Sequence, residues 1–346
     1  MRKSIQKRRS KVQFSSKAAL VRLAILLSVL LILTVWLWLT SFWMPGKSYA
    51  GQLPSLQQEE VTLREQLRQD VQSLSEAALN RKKSQYDRLN AKKAFLDNAL
   101  TQAGYPVTRQ DYQVDGKTYT NLIVEKRGTE HPNEVIIIGA HYDAAFTSPG
   151  ANDNATGAAA TLELAKRFAE KSPKRTVRFV EFTNEEPPFF WTQNMGSLVY
   201  AKQINPQKEN VVAMLSLETM GYFSDTKGSQ QYPFPLNLLY PNQGNFISFI
   251  GNLNSGDLVR RSIESFRSQT QFPSEGVSLP DGIPGVGWSD QWSFWQQGYK
   301  GIMVTDTAPY RYPYYHTIDD TIDKIDFDKL TRVVSGLSSV ISDLAA

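Results

Sequence analysis

The chain has 346 residues, 41% of them hydrophobic, which suffices for a sizeable core and excludes disorder as the bulk reading. It contains no cysteine, so disulfides, thiolate metal sites and cysteine nucleophiles are excluded, and any metal must be held by histidine and carboxylates. The net charge of +4 comes from eight Lys or Arg and no acid in residues 1–22, leaving −4 for the rest; this clustering beside an apolar segment argues against nucleic acid as a partner.

Residues 23–43, LAILLSVLLILTVWLWLTSFW, carry no charge and would span about 31 Å as a helix, enough to cross a hydrocarbon core. Trp36, Trp38 and Trp43 would lie near the outer interface, with residues 1–22 as a basic cytoplasmic tail and the rest of the chain extracytoplasmic. The competing reading is a cleaved signal segment, because Ser48-Tyr49-Ala50 has small residues spaced for cleavage, which would make the protein secreted or periplasmic. The apolar run exceeds the usual ~7 to 15 residues of a signal core, which favours a single-pass anchor. Residues 44–58, rich in Pro, Gly, Ser and Gln, read as a linker lifting residues 59–346, the folded domain, off the membrane.

Residues 61–103 have a helical pattern that stops at Gly104; nothing there looks catalytic, and the charges read as a solvated face. Beyond Tyr105 strands alternate with helices. Residues 105–114 and 117–126 form a strand pair around the Asp115-Gly116 turn, and EVIIIGA (134–140) is a continuous apolar run suited to a strand buried on both faces. A helix at 155–171, a strand at 176–183, a helix at 195–204 and a strand at 211–219 follow. A helix at 258–268, a strand at 301–305 and a helix at 327–344 complete a three-layer α/β pattern. No repeat and no phosphate-binding glycine loop is present.

In such sheets ligands bind where loops leave the carboxyl ends of the strands. EVIIIGA ends in His141 and Asp143, and the loop after it carries Asp153 before a helix. TVRFVEFTN ends in Glu185-Glu186, VVAMLSLE ends in Glu218, and the loop after GIMVTDT carries His316. Singly, each has a bland reading: a hydrogen-bonded histidine, an N-cap for Asp153, solvated surface for the glutamate pair, a lysine partner for Glu218. Together they place two of the chain's three histidines on one sheet edge, while His131, in GTEHPNE, reads as surface. Two histidines and three carboxylates suit a pair of zinc ions with one bridging carboxylate, leaving a fourth carboxylate as base. Pro187 keeps Glu186 out of a helix, so the adjacent glutamates point differently. Asp143, two residues after His141, lies on the same side and would fix the imidazole tautomer.

Through GAHYDA, GANDNATGAAA, EFTNEEPPFFW, MGSLVYA, SLETMGYF, SDQWSFW and YHTIDDT, residues 84–346 resemble the di-zinc aminopeptidases of bacterial leucyl aminopeptidase type. Their clan includes glutamate carboxypeptidase II and the glutaminyl cyclases. The resemblance implies a three-layer zinc exopeptidase fold of phosphorylase/hydrolase-like type, with a mixed, mainly parallel sheet. It implies that His141 and Glu218 hold one zinc, Glu186 and His316 the other, that Asp153 bridges them, and that Glu185 is the general base in hydrolysis of a peptide's N-terminal bond. Two departures stand out: Glu218 replaces the aspartate of many members, pointing to one weakly held ion, and Gln291 replaces a histidine that often contacts substrate. A cyclase on the same fold would use Asp153, Glu186, His316 and one zinc, with Glu185 as proton shuttle; a non-catalytic ectodomain is the reading from another class. Among the aromatics Phe189, Phe190, Trp191, Trp288, Trp292, Trp295, Tyr310, Tyr312 and Tyr314, a subset is expected to line an apolar side-chain pocket.

Overall fold

A computed structural model describes residues 17–79, 84–204 and 207–346, and the chain divides into two units, one ending at Trp43 and the other Met44–Ala346. In the first, α1 (Lys17–Leu37) runs into a wider π-helical turn, Trp38–Phe42. Together they make one helix of 26 residues, long and apolar enough to cross a membrane, a property that an anchor shares with a signal sequence. It begins before residue 23 because Lys17 and Arg22 are good helix formers at an exposed end. The hydroxyls of Thr34 and Thr40 donate back to the carbonyls of Leu30 and Trp36 at 2.8 Å, so neither polar group is left bare on an apolar helix. The basic tail up to Ser16 lies outside the described residues.

The second unit runs α2 (Gln58–Leu79), α3 (Gln85–Gln102), β1 (Thr108–Val114), β2 (Lys117–Lys126), β3 (His131–His141), α4 (Thr156–Phe168), β4 (Arg175–Phe182), α5 (Gly196–Gln203) and β5 (Asn210–Glu218). It continues with β6 (Ile247–Asn252), α6 (Gly256–Gln269), β7 (Ser274–Leu279), α7 (Gln291–Trp295), β8 (Gly301–Thr305), α8 (Ala308–Arg311) and α9 (Phe327–Leu344). The expected elements are present with small shifts at their ends. The sequence pattern missed β6 and β7: ISFIGN and SEGVSL are short and broken by Gly and Ser, so neither shows a clear strand period.

The eight strands lie in the order β1-β2-β4-β3-β5-β8-β6-β7. The central four, β4, β3, β5 and β8, are parallel, while β2 joins β4 and β6 joins β8 antiparallel. Alternation along β3 divides its apolar side chains between two cores. Ile136, Ile138 and Ala140 pack under residues of α2, α3, α4, α6 and α9, whereas Val135 and Ile137 join Tyr200 of α5 and Phe294 of α7. Each fully buried isoleucine contributes about 1.5–3 kcal/mol, so this strand is fixed in register from both sides.

Of residues 44–58, expected as a linker, Gln58 already starts α2, and the segment before it lies on this unit. Arg267 Nη1 donates to Pro45 O at 2.9 Å, the Ser274 amide donates to Ser48 Oγ at 2.9 Å, and Met44 and Leu53 pack on the core.

β3 leads through α4 to β4 on one side of it, and β5 leaves toward β8 on the other. The crevice between diverging loops therefore opens at the carboxyl ends of β3 and β5, which carry His141 and Glu218.

Candidate metal centre

The loop after β3 returns to the sheet at the start of α4. There a Cβ on Gly157 would come within 2.3 Å of Leu217 O, so only glycine lets the helix approach β5 this closely. Asn154 completes the junction: its Nδ2 donates to Leu217 O at 2.8 Å and its Oδ1 accepts from the amides of Gly157 and Thr219 at 3.1 and 3.0 Å. Asp153 is thereby set beside β5 and is not an N-cap, since no side chain caps this helix start. Three residues at or next to the site hold left-handed backbone without being glycine: Asn184 (φ 58°), Thr219 (φ 42°) and His316 (φ 58°). Such geometry costs about 1–3 kcal/mol each and persists only where surrounding contacts hold it.

All seven residues singled out from the sequence converge here. His141 Nε2 lies 3.2 Å from Glu218 Oε2, 3.5 Å from Asp153 Oδ1 and 3.8 Å from Glu185 Oε2. His316 Nε2 lies 3.0 Å from Asp153 Oδ2 and 3.2 Å from Glu186 Oε2. Asp153 thus presents one oxygen to each imidazole. Two triads close enough to hold an ion result, His141-Glu185-Glu218 and Asp153-Glu186-His316. Ligands bound tetrahedrally to zinc at 2.0–2.1 Å are separated from one another by about 3.3 Å, the spacing found here. Nε2 of His141, Oδ2 of Asp153, Oε1 of Glu186 and Nε2 of His316 are buried without a hydrogen-bond partner, an arrangement that a cation would resolve.

The electrostatics point the same way. Burial pushes the Glu185 carboxyl well above its usual range and Glu186 to about 7. Burial works against a charged ring at His316, yet Asp153 and Glu186 raise it to about 10; at His141 burial is likewise outweighed by Glu185 and Glu218. Glu185, Glu186, Glu218 and the two imidazoles are thus all biased toward their protonated forms, protons that a divalent cation would displace.

Asp143 does more than face Nδ1 of His141 at 3.4 Å. Its Oδ1 accepts the Glu185 amide at 3.1 Å and its Oδ2 the Glu186 amide at 3.0 Å, so one carboxylate orients a ring on β3 and the peptide after β4. Burial opposes its charge, but His141 and these two amides hold it below the ordinary carboxylate range.

Other supports had not been read from the sequence. Ser289 donates to Glu218 Oε2 at 2.6 Å and pairs with Ser216, where a lysine partner had been the bland expectation for Glu218. Asp320, inside the quoted YHTIDDT, accepts the amides of Asn152 and Asp153 at 2.8 and 3.1 Å and the Tyr312 hydroxyl at 2.8 Å. Tyr315 stacks on His316 with ring centroids 3.9 Å apart. Lys92, on a helix read as solvated, is 3% exposed and lines a cavity beside the site. Its signal was positional: Lys92, Leu96 and Leu100 share the buried face of α3. His131 is exposed, as expected.

Asp153, Glu185, Glu186, Glu218 and His316 line a cavity together with Phe190, Trp288 and Tyr315. Through Glu218, Trp288 and Tyr315 it adjoins a largely apolar cavity of about 780 Å³, mouth included, walled by Leu236, Phe246, Val277, Met303 and Tyr310 among others. Of the aromatics named above, Trp288 and Tyr310 line this pocket, whereas Trp295 and Tyr312 are buried and Trp191 donates to Gly287 O. Gln291 is buried, donates to Val286 O at 3.0 Å, and does not line the metal cavity.

Residues 121–341 match peptidase family M28. The chain belongs to this family. As an M28 member it is a zinc-dependent hydrolase of the metallopeptidase class. It is 35% identical over 286 residues to the uncharacterized protein YfbL of Escherichia coli K12, covering 80% of this chain and 87% of that one. It is also 30% identical over 190 residues to an aminopeptidase of Pseudomonas aeruginosa, covering 54% of this chain but only 32% of that protein. Among solved structures the fold is similar to LapB of Legionella pneumophila (TM-score 0.63, 20% identity, 86% and 78% covered) and to BSAP, a zinc aminopeptidase of Bacillus subtilis (TM-score 0.53, 21% identity, 66% and 51% covered). A glutaminyl cyclase of Porphyromonas gingivalis shares it too (TM-score 0.59, 16% identity, 81% and 98% covered).

Proposed function

We propose that the chain is a di-zinc aminopeptidase in which His141 and Glu218 hold one ion, Glu186 and His316 the other, and Asp153 bridges them. The observation that carries this reading is the division of Asp153 between the two imidazoles, Oδ1 to His141 and Oδ2 to His316. Zinc held there supplies Lewis acidity toward a peptide carbonyl and lowers the pKa of water. Glu185 stands farthest of the three carboxylates from His141 Nε2 and lines the cavity, which supports it as the group that takes a proton from water and returns it to the leaving amine. Asp143 holds the His141 ring and the Glu185-Glu186 peptide in place for that exchange. The apolar cavity on the Glu218 side would take the side chain of the N-terminal residue, favouring apolar over charged ones.

A one-zinc cyclase would use Asp153, Glu186 and His316 with Glu185 as shuttle; the further pair of His141 and Glu218, 3.2 Å apart, favours the peptidase. The positive-inside rule supports a single-pass anchor with the catalytic unit outside the cytoplasm, which accessibility of that unit to added protease in intact cells would test.

The test is mass spectrometry of unblocked peptides, Gln-led ones included, incubated with the zinc-loaded chain. Loss of N-terminal residues, absent with acetylated peptides or a chelator, is expected. Ammonia loss from Gln-led peptides alone would hand the site to the cyclase. Glu185→Gln should lower turnover by about 10²–10⁴-fold while two zinc ions remain bound, and retained turnover would end the assigned role.

A further inference from the structure

A second cavity of about 670 Å³, mouth included, adjoins the metal cavity on its other side, sharing Glu186 and Pro187 with it and no residue with the apolar cavity. Its chemistry is the opposite of the apolar one. Arg88, Lys92 and Lys117 line it, with the polar groups of Tyr119, Ser148 and Asn184. Lys92 is only 3% exposed and makes no direct hydrogen bond or ion pair among the described residues; Asp143, Asp320, Asp153 and Glu186 favour its charge from a distance. A buried ammonium is costly to desolvate, and a direct anionic contact would offset that cost further.

The two carboxylates that share the wall are already committed. Asp143 accepts two backbone amides, and Glu186 belongs to the His316 triad. Phe146, also on the wall, stands edge-on to the His316 ring at 6.4 Å, so the cavity opens beside the second half of the metal centre. The site is therefore flanked by an apolar cavity at Glu218 and a cationic cavity at Glu186.

We propose that the cationic cavity is an anion subsite that takes a carboxylate of the peptide on the leaving-group side, with Lys92 as its buried cation and Arg88 and Lys117 nearer its mouth. This rests on the peptidase reading: if the apolar cavity takes the N-terminal side chain, the segment beyond the scissile bond runs toward Lys92. A carboxylate fits better than a dianion, because Asp143 and Glu186 face the same space. Its source is the peptide's own C-terminus or an acidic side chain. Burial lowers the Lys92 pKa to about 8, against the pull of Asp143, Asp320, Asp153 and Glu186.

The test compares kcat/KM of the zinc-loaded full chain on Leu-Ala, Leu-Ala amide and Leu-Asp amide. At least one carboxylate-bearing peptide should exceed Leu-Ala amide by about tenfold or more. Leu-Ala in the lead identifies the C-terminus, and Leu-Asp amide in the lead identifies the side chain. Lys92→Met should bring the ratio close to one. Lys117→Gln, at an exposed position that does not threaten folding, should lower it about twofold, an effect that added salt reproduces. A wild-type ratio of one, or a ratio unchanged in both variants, overturns the subsite, since a lysine that merely balances the carboxylate cluster would slow all three substrates alike. Calorimetric titration of zinc-loaded Glu185→Gln with Leu-Ala and its amide separates the two readings. Lys92-dependent preference for the free acid without turnover in wild type would sink the peptidase and keep the subsite; turnover with equal binding would do the reverse.

Discussion

Asp143→Asn tests whether one carboxylate holds both halves of the metal centre. In the native protein each oxygen of Asp143 accepts one amide, from Glu185 and Glu186, and Oδ1 also faces His141 Nδ1. Asparagine keeps one acceptor and turns an NH₂ group toward the other amide, so one charge-assisted bond is lost and one buried N–H is stranded. The expected cost to folding is about 3 kcal/mol, survivable for a domain of about 5–15 kcal/mol. The effect on metal is the sharper signature. Loss of an orienting partner weakens zinc by about 10–100-fold, or roughly 1.4–2.7 kcal/mol, and on the proposed di-zinc assignment both ions should weaken, because it gives His141 to one and Glu186 to the other. Competition against a chromophoric chelator, with thermal unfolding in parallel, measures both. Zinc affinity within twofold of wild type, or weakening of one ion alone, would refute the reading of Asp143 as a shared support.

Ser289→Ala removes the donor to Glu218 Oε2 and should weaken one ion about tenfold at roughly 1 kcal/mol of stability, read by the same competition; two ions weakening equally would contradict it. Chelation should lower the melting temperature by roughly 5–10 °C, taking about 2.7 kcal/mol of linkage at a hundredfold excess over Kd, and scanning calorimetry with and without zinc checks it. The metal-free protein should lose stability as pH rises. Glu186 and Asp320, raised by burial to about 7, and His316, raised to about 10, bind more protons folded than unfolded. Their contribution is therefore greatest below about pH 4 and declines toward pH 10; urea melts of the chelated protein that grow more stable across that range would reverse the sign.

The fold was legible where the sequence has a single dominant period. β3 reads as a strand because it is apolar on both faces, and α9 reads as a helix to the residue because its buried positions recur every three or four residues. β6 and β7 escaped because their burial comes from the neighbours β8 and α6, which no local pattern encodes. The site was legible for a related reason: strand ends are visible in sequence, and the polar residues at or just after four of them could be counted. Lys92 and Ser289 stayed hidden because each belongs to a segment whose local pattern has a sufficient ordinary explanation, an amphipathic helix and a polar loop.

What sequence could not separate is which acids face the metals and which hold the frame. The structure divides them by where their lone pairs go. Asp143, Asp320 and Asp306 each accept backbone amides: Glu185 and Glu186 for the first, Asn152 and Asp153 for the second, Tyr222 for the third. Each amide set belongs to a segment that carries, or stands next to one that carries, a member of the cluster; Asp306 reaches it through Asn152, whose Oδ1 in turn accepts the Gly221 amide after β5. Asp153 and Glu186, by contrast, keep a buried oxygen without a hydrogen bond and lie within 3.2 Å of His316 Nε2. Asp306 keeps such an oxygen too, so nearness to an imidazole Nε2, and not the open lone pair alone, sets the candidate ligands apart. The support acids lie on three different loops, so the geometry of the centre depends on segments up to 168 residues apart in the chain. Substitutions at Asp306 and Asp320 should therefore act on metal affinity first and on substrate selectivity only through it, whereas Asp143, which also lines the cationic cavity, should act on both.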